Sequence, residues 1–306
     1  MSLFIGIDGG GTRCVAVATD RAGHELARRE GGPGLVHADR LDAGAAALAT
    51  LAEATIRAAG AEPPAAVLCC ALAGAGREPE RSALERALQE RGIAAVCRVT
   101  TDAEAALFDA FGPGPGLLLI SGTGSIAWGR AEDGVTARAG GWGALLGDEG
   151  SAYALGIEAL RQVVRAHDGR APDTALAPEV LRHTGRRAVE ELVSWAAAAD
   201  KAEIAALAPI VTAAARQGDA VARAMVDEAA RELASFMVAL HRRLGPWTAP
   251  PTAALAGALL APAGPLRAPT INAIRESGVP VRILDRAIDG ARGAAALARD
   301  MDPLTQ

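Results

Sequence analysis

The chain opens on a short apolar run, Phe4-Ile5-Gly6-Ile7, that ends in Asp8 and three consecutive glycines. Cys14-Val15-Ala16-Val17-Ala18 then resumes the apolar pattern. Strand, glycine turn and strand predict a hairpin, because glycine takes the positive φ of a tight turn without penalty. A Walker A loop would instead run into a helix and end in Gly-Lys-Ser/Thr. Residues 39–60 set Asp39, Arg40, Asp42, Glu53 and Arg57 among alanines and leucines, which predicts a helix. A strand is expected over Ala65–Leu72, stopped by Gly74 and Gly76, then a helix over Glu78–Arg91. The strand predicted over Ile93–Val99 delivers Thr100, Thr101 and Asp102 at its carboxyl end, and a helix follows from about Glu104 to Phe111. Strands alternating with helices predict a sheet with helices packed on it.

Gly112-Pro113-Gly114-Pro115-Gly116 is the strongest punctuation in the chain and predicts a domain boundary. The pattern then restarts with an apolar strand (Leu117–Ile120), a turn at Gly122-Thr123-Gly124 and a second strand (Ile126–Arg130). Two halves that each open with strand, glycine turn and strand suggest a duplicated sheet domain with a cleft between the copies. Residues 151–244 are nearly all helix-forming, with breaks near Asp168–Pro172, Thr184–Gly185, Ala208–Pro209 and Gly218. A strand at Thr252–Leu255, a helix near Leu266–Ser277, a strand at Val281–Leu284 and a helix over Ile288–Arg299 complete the expectation. The predicted domains are 1–114, with the last helix (287–300) packing back on it, and 115–286.

Composition narrows the function. Of the 306 residues half are hydrophobic but only 3% aromatic, so the core must be small aliphatic side chains packed closely. A net charge of −5 argues against nucleic acid or an anionic membrane as partner. Phosphates remain possible ligands, since backbone amides and magnesium hold them without net positive charge. No apolar run approaches the roughly 20 residues of a membrane span, and the N-terminus has no basic signal-peptide region; a cytoplasmic location is expected. Cys14, Cys69, Cys70 and Cys97 show no CxxC spacing and read as small buried residues of a reduced protein.

Four constellations carry candidate chemistry. Asp8 followed by Gly9-Gly10-Gly11-Thr12 sets a carboxylate, a candidate magnesium ligand, beside backbone amides that phosphate oxygens can approach. Ser121-Gly122-Thr123-Gly124-Ser125 has the same form, so one phosphate hairpin from each half could clamp a nucleotide. Asp102 sits where open sheets present functional groups; it is either the cap of the next helix or a base for a hydroxyl attacking a phosphate, and could be both. Gly140-Gly141-Trp142-Gly143 with Gly147-Asp148-Glu149-Gly150 offers an aromatic plane for a sugar and two carboxylates for its hydroxyls. Ala256-Gly257-Ala258 could border an adenine or simply mark a close backbone contact. No Gly-x-Ser-x-Gly elbow surrounds Ser121, so a hydrolase triad has no support.

Taken in order, Gly6-Ile7-Asp8-Gly9-Gly10-Gly11-Thr12, Thr100-Thr101-Asp102-Ala103, Ile120-Ser121-Gly122-Thr123-Gly124-Ser125, Gly140-Gly141-Trp142-Gly143 and Gly147-Asp148-Glu149-Gly150-Ser151-Ala152 resemble the N-acetylglucosamine and glucosamine kinases, within the wider group of BadF/BadG-type ATPases. The resemblance implies an α/β fold of two actin-like (ribonuclease H-like) ATPase domains, the second helix-rich, closing over ATP and sugar as a homodimer. It implies transfer of the γ-phosphate to a sugar 6-hydroxyl, with Asp102 as base and Asp8 serving Mg2+. Gly9, Gly10, Gly11, Thr12, Arg13, Gly122, Thr123, Gly124, Gly257 and Ala258 would contact the nucleotide. Val36, His37, Ala73, Gly74, Gly141, Trp142 and Asp148, with Asp102, Thr123 and Gly124, would line the sugar site. Eukaryotic members carry asparagine where Val36 stands and serine near Ala73, which leaves the sugar open among N-acetylglucosamine, glucosamine and N-acetylmuramic acid. The rival within the resemblance is an ATPase that activates a partner through an iron–sulfur cluster; it is disfavoured because no cysteine follows Cys97.

Overall fold

The computed structural model describes residues 2–10, 13–32, 34, 41–75 and 78–302. Of the predicted site residues, Gly11, Thr12, Val36 and His37 lie outside these. The chain divides into two compact units, Met1–Gly114 with Ile288–Gln306, and Pro115–Ala287.

The first unit is built on strands β1 (Phe4–Gly9), β2 (Cys14–Thr19), β3 (Glu25–Gly31), β4 (Ala65–Leu72) and β5 (Ala94–Thr101). They lie in the order β3-β2-β1-β4-β5, with β2 antiparallel to β1 and β3, and β1, β4 and β5 mutually parallel. Side-chain alternation splits the apolar residues of this sheet between two layers. Ile5, Ile7, Leu68, Cys70 and Leu72 pack with Leu48, Ala52 and Ile56 of α1 (Leu41–Ala58) and Leu84 and Leu88 of α2 (Glu78–Gln89). Phe4, Val67, Cys69 and Ala71 face Ala105 of α3 (Asp102–Phe111) and Ala294, Leu297 and Ala298 of the last helix, α11 (Gly290–Asp300).

This second layer depends on bare backbone. A Cβ on Gly6 would stand 2.1 Å from the Ala295 amide nitrogen, and one on Gly293 would stand 1.9 Å from the Ala105 carbonyl oxygen. Glycine at both positions lets α11 lie directly on β1 and α3. β3 was not anticipated: five of its seven residues are exposed, so it carries no apolar alternation to reveal it.

The second unit repeats the topology with β6 (Gly116–Ser121), β7 (Ser125–Arg130), β8 (Thr136–Gly140), β9 (Thr252–Ala256) and β10 (Arg282–Ile283), in the order β10-β9-β6-β7-β8. Between β8 and β9 run α4 (Ala152–His167), α5 (Leu176–Thr184), α6 (Leu192–Ala198), α7 (Lys201–Ala205), α8 (Ala208–Arg216) and the long α9 (Ala220–Leu244); α10 (Arg267–Glu276) follows β9. Leu117, Leu119, Ala253 and Leu255 of the sheet join Leu155 and Val163 of α4, Val211 of α8 and Leu233, Met237 and Leu240 of α9 in one core. Each unit is therefore a mixed five-stranded sheet with helices, the actin-like ATPase fold. No helix of the described residues is long and apolar enough to cross a membrane.

Candidate active site

In the first unit the strand registers set the candidate groups along one edge. Gly9 of β1 pairs with Leu72 of β4, and Leu72 with Thr101 of β5, so the carboxyl ends of the three parallel strands finish side by side. Beyond them lie the turn at Gly10, the loop at Ala73-Gly74 and Asp102. The turn is closed by Gly10 N donating to the Arg13 carbonyl at 3.0 Å, and Ala73 N donates to the Gly9 carbonyl at 2.8 Å. Arg13 itself points outward to Glu30 at 3.5 Å, with both side chains about two-thirds exposed.

Asp102 is not the cap of α3. That place belongs to Thr101, whose hydroxyl accepts from Glu104 N at 3.1 Å, so the helix starts at Asp102. Strand β5 runs on through Thr101, leaving its side chain at the first turn of the helix, and the capping role falls to the hydroxyl rather than the carboxylate. Asp102 is thereby spared: Oδ1 accepts from Ala103 N at 2.9 Å, and no side chain among the described residues is hydrogen-bonded to its carboxylate. Burial raises its pKa above the usual carboxylate range, against the lowering effect of its backbone hydrogen bonds. A partly buried carboxylate of raised basicity, with no side chain paired to it among the described residues, has the properties of a general base.

Asp8 shares the β1 face of Phe4 and Gly6, the face that α11 covers. Its carboxylate reaches the start of that helix, where a Cβ on Gly290 would stand 2.6 Å from Oδ2. Burial first, then the charges of Asp102 and Asp289, push its pKa up to about 6, with Arg13 opposing. Asp289, the cap of α11, is held by Arg28 at 2.6 Å and accepts from Arg292 N at 3.1 Å. Sequence reading missed Asp289, since only the return of α11 brings it to Asp8. Among the described residues no group of three or more histidine, cysteine or acidic side chains forms a metal site. Mg2+ asks for less, commonly one or two carboxylates with waters and phosphate oxygens. Asp8, made costly to ionise by two neighbouring carboxylates, fits that requirement.

The shift has a sign that can be tested. A carboxyl whose folded pKa lies above its unfolded value adds stability when protonated, and that contribution is lost as pH rises through about 6. Asp8→Asn in the metal-free protein is expected to raise Tm at pH 7.5 by roughly 3–6 °C. Calorimetry from pH 7.5 down to 5 should find the gain shrinking as the wild-type carboxyl takes up its proton; a gain independent of pH would refute this account of Asp8.

In the second unit Ser121 and Ser125 close the hairpin as a β6–β7 pair, and Gly122 N donates to the Gly124 carbonyl at 2.9 Å. The Gly122 and Thr123 carbonyls accept from Ala152 N at 2.8 Å and Tyr153 N at 3.4 Å, which ties the turn to the first residues of α4. Ser121 Oγ donates to the Gly150 carbonyl at 2.9 Å and Ser125 Oγ to the Glu149 carbonyl at 2.7 Å. The helix cap is Ser151, accepting from Ala154 N at 3.1 Å. The hairpin is thus built onto the Gly147–Ser151 segment, and the two motifs read separately in the sequence are one structure.

Asp148 is packed against that hairpin. It is 3% exposed, with φ +62°; Oδ1 accepts from Ser125 N at 3.2 Å and Oδ2 from Lys201 Nζ at 2.6 Å. Of the two adjacent carboxylates it is Glu149 whose Oε2 is buried without a hydrogen-bond partner among the described residues. A Cβ on Gly147 would lie 3.0 Å from Trp142 Cβ and 3.3 Å from Glu149 Oε2, so these two side chains share one neighbourhood. Trp142 is 63% exposed with the Arg138 guanidinium stacked 4.3 Å from its ring centre. Gly141 precedes it at φ +70°, where a Cβ would press on Ile126. Lys201 was overlooked; being the chain's only lysine was a signal available in the sequence.

Gly257 is accounted for by packing. It has φ +84°, and a Cβ there would stand 2.3 Å from the Ser121 carbonyl oxygen. Gly257 and Ala258 therefore border the end of β6 where the hairpin begins. The cysteines are free thiols; Cys14 sits at the first hairpin, paired with Gly9 and near Asp8, and burial pushes Cys14 and Cys97 up to about 11 and Cys69 to about 12.

Comparison with known proteins finds similar sequences and structures among amino-sugar kinases. An N-acetyl-D-glucosamine kinase of Dictyostelium discoideum is 32% identical over 256 residues, covering 79% of this chain and 80% of the relative. An N-acetylmuramic acid/N-acetylglucosamine kinase of Clostridium acetobutylicum is 38% identical over 168 residues, covering 54% of this chain; the match spans about half of that relative, 55% of its length. A crystal structure from Chromobacterium violaceum, provisionally named an N-acetylglucosamine kinase, superposes with a TM-score of 0.80 at 28% identity, over 97% of this chain and 99% of that one. The model of the BadF/BadG/BcrA/BcrD ATPase family matches residues 5–298, from the first strand of the first unit to the helix that returns to it. With the paired glycine hairpins, the Asp102 edge and a match of that extent, the chain belongs to the BadF/BadG/BcrA/BcrD ATPase family.

Proposed function

We propose that this protein is an ATP-dependent amino-sugar kinase that transfers the γ-phosphate to the 6-hydroxyl of N-acetylglucosamine or glucosamine. The observation that carries the reading is Asp102: a desolvated carboxylate, relieved of helix capping by Thr101, at the strand edge that also bears a glycine turn. In this reading Asp102 accepts the proton of the attacking hydroxyl and orients its oxygen. Gly9 and Gly10 in the first unit, and Gly122, Thr123 and Gly124 in the second, offer phosphate oxygens their backbones, and Arg13, turning from Glu30, offers them its guanidinium. Gly257 and Ala258 border the adenosine. Gly11, Thr12, Val36 and His37 keep their proposed contacts on the strength of the resemblance alone.

Ala73 and Gly74, tied to the first hairpin, and Gly141 and Trp142 line the sugar, with the indole as an apolar platform. Asp148 reaches it through the hairpin it braces, and Glu149 adds an unpartnered acceptor for a hydroxyl. Asp8 would hold Mg2+, which when bound neutralises phosphate charge. The resemblance extends the proposal to a cytoplasmic homodimer. The Clostridium relative, named for two substrates, favours N-acetylmuramic acid as a second candidate acceptor.

ADP release with N-acetylglucosamine, glucosamine, N-acetylmuramic acid, N-acetylmannosamine and glucose tests the reading. Turnover is expected with one amino sugar well above the rest, with phosphate recovered on its 6-hydroxyl. ATP hydrolysis that no sugar stimulates would refute it and favour a partner-activating ATPase.

A further inference from the structure

Among 31 lysine and arginine residues the chain has one lysine, and it stands at the second glycine hairpin. Lys201 opens α7, and its Nζ donates to Asp148 Oδ2 at 2.6 Å while the other oxygen of Asp148 accepts from Ser125 N. The ammonium is one carboxylate removed from the hairpin backbone. Asp148 is the one non-glycine residue with positive φ among the described residues, a conformation costing about 1–3 kcal/mol that surrounding contacts must hold. Gly124 does not need its glycine for φ. It needs it for space, because a Cβ there would stand 2.8 Å from Asp148 Oδ1 and 3.2 Å from Lys201 Nζ. The ion pair is thus packed against the crown of the hairpin. Its carboxylate is 5% exposed at the side chain, whereas the lysine side chain is 41% exposed.

The choice of base has a chemical reason. Apart from its five histidines, every other basic residue of this chain is arginine, so an ion pair alone would be served by arginine as well. A guanidinium would present its planar fork to both Asp148 oxygens and spend its donors there. An ammonium is a compact point charge with three donors; one goes to Asp148 and two can reach oxygens of a ligand. Gly122, on the other limb of the turn, has nothing within 4 Å of the place a Cβ would occupy. The turn thus has open space on its Gly122 limb and the ammonium packed against its Gly124 limb.

We propose that Lys201 binds the terminal phosphoryl oxygens of ATP at the Gly122–Gly124 hairpin, with Asp148 as the tether that holds its ammonium there. The inference rests on the kinase reading and deepens it by adding a contact that residue 201 makes to the nucleotide.

A single lysine allows a direct test on the unaltered protein. Acetylation of Lys201 Nζ by an N-hydroxysuccinimide ester is followed by mass spectrometry, with nucleotide binding measured by calorimetry on the same sample. Saturating MgATP is expected to slow acetylation at least tenfold, while AMP, lacking the outer phosphates, leaves it nearly unchanged. MgATP that binds without protecting Lys201 overturns the inference and leaves the kinase reading standing. Protection by the sugar alone overturns it too, assigning Lys201 to the sugar through Asp148. Failure of MgATP to bind at all overturns the kinase reading and this inference together. Lys201→Met, checked for folding by its Tm, should lower kcat on the order of 10- to 100-fold with the sugar KM within twofold, and Lys201→Arg, whose fork spends its donors on Asp148, should keep the Tm without restoring kcat. A rise in sugar KM with kcat intact would count against phosphate binding.

Discussion

Asp102→Asn is expected to lower kcat on the order of 10²- to 10⁴-fold while leaving the affinity for ATP within about twofold. The substitution is nearly isosteric, and it keeps an acceptor for the Ala103 amide that Oδ1 binds at 2.9 Å. Thr101 rather than Asp102 caps α3, so the helix start should survive and Tm should hold or rise. A rise would follow from removing a carboxylate that burial disfavours as an anion and whose charge adds to the burial that pushes the pKa of Asp8 up to about 6. What the amide cannot do is take up a proton. Steady-state kinetics with calorimetric titration of ATP separates these effects. Near-normal turnover in Asp102→Asn would remove Asp102 from the role of base. Parallel loss of ATP affinity and thermal stability would mark it as a structural residue.

The largest effect on stability is expected at Gly6. Its missing side chain is the contact surface for α11: an alanine Cβ would stand 2.1 Å from the Ala295 nitrogen and 2.4 Å from the Ala291 carbonyl oxygen. Both atoms are helix backbone, so no rotamer change relieves the overlap, and α11 must lift from β1. Overpacking of this kind costs about 3 kcal/mol or more, and Gly6→Ala should lower Tm by at least about 6 °C. Because α11 begins beside Asp8, turnover should fall with stability. Gly44→Ala in α1 is the matched control, since nothing lies within 4 Å of its Cβ position. There the same change should stabilise by about 0.5–1 kcal/mol, from the better helix propensity of alanine. Equal Tm values for the two variants would contradict the close packing of α11 described here.

Much of the fold was legible because its signals are local. β4 lies over Ala65–Leu72, the span its apolar run predicts, and α2, α3, α10 and α11 begin within about two residues of expectation. β3 and β8 escaped for a physical reason. Both are outer strands of their sheets with largely exposed or half-buried side chains, so hydrophobic alternation never marks them. The glycine hairpins and Asp102 were likewise readable, because a strand that ends in glycines or in a carboxylate announces its own edge.

What each group does at that edge was a different matter. Nothing near Asp102 in sequence says that the hydroxyl before it takes the cap. The Gly147–Ser151 segment reads as a loop with two carboxylates offered to a ligand; folding turns Asp148 inward onto Ser125 and Lys201 and leaves Glu149 with the open acceptor. By itself the sequence determined the two repeated sheet units, the places of their glycine turns and the strand end that carries Asp102, all of which follow from periodicity and backbone preference among near neighbours. Only the tertiary structure decided that Asp8 meets Asp289 and Gly290, that Gly6 is the floor for α11, and that the single lysine reaches the second hairpin. Those pairings join residues 53 to about 290 positions apart, and burial of the helices on each sheet, rather than any local preference, brings them together.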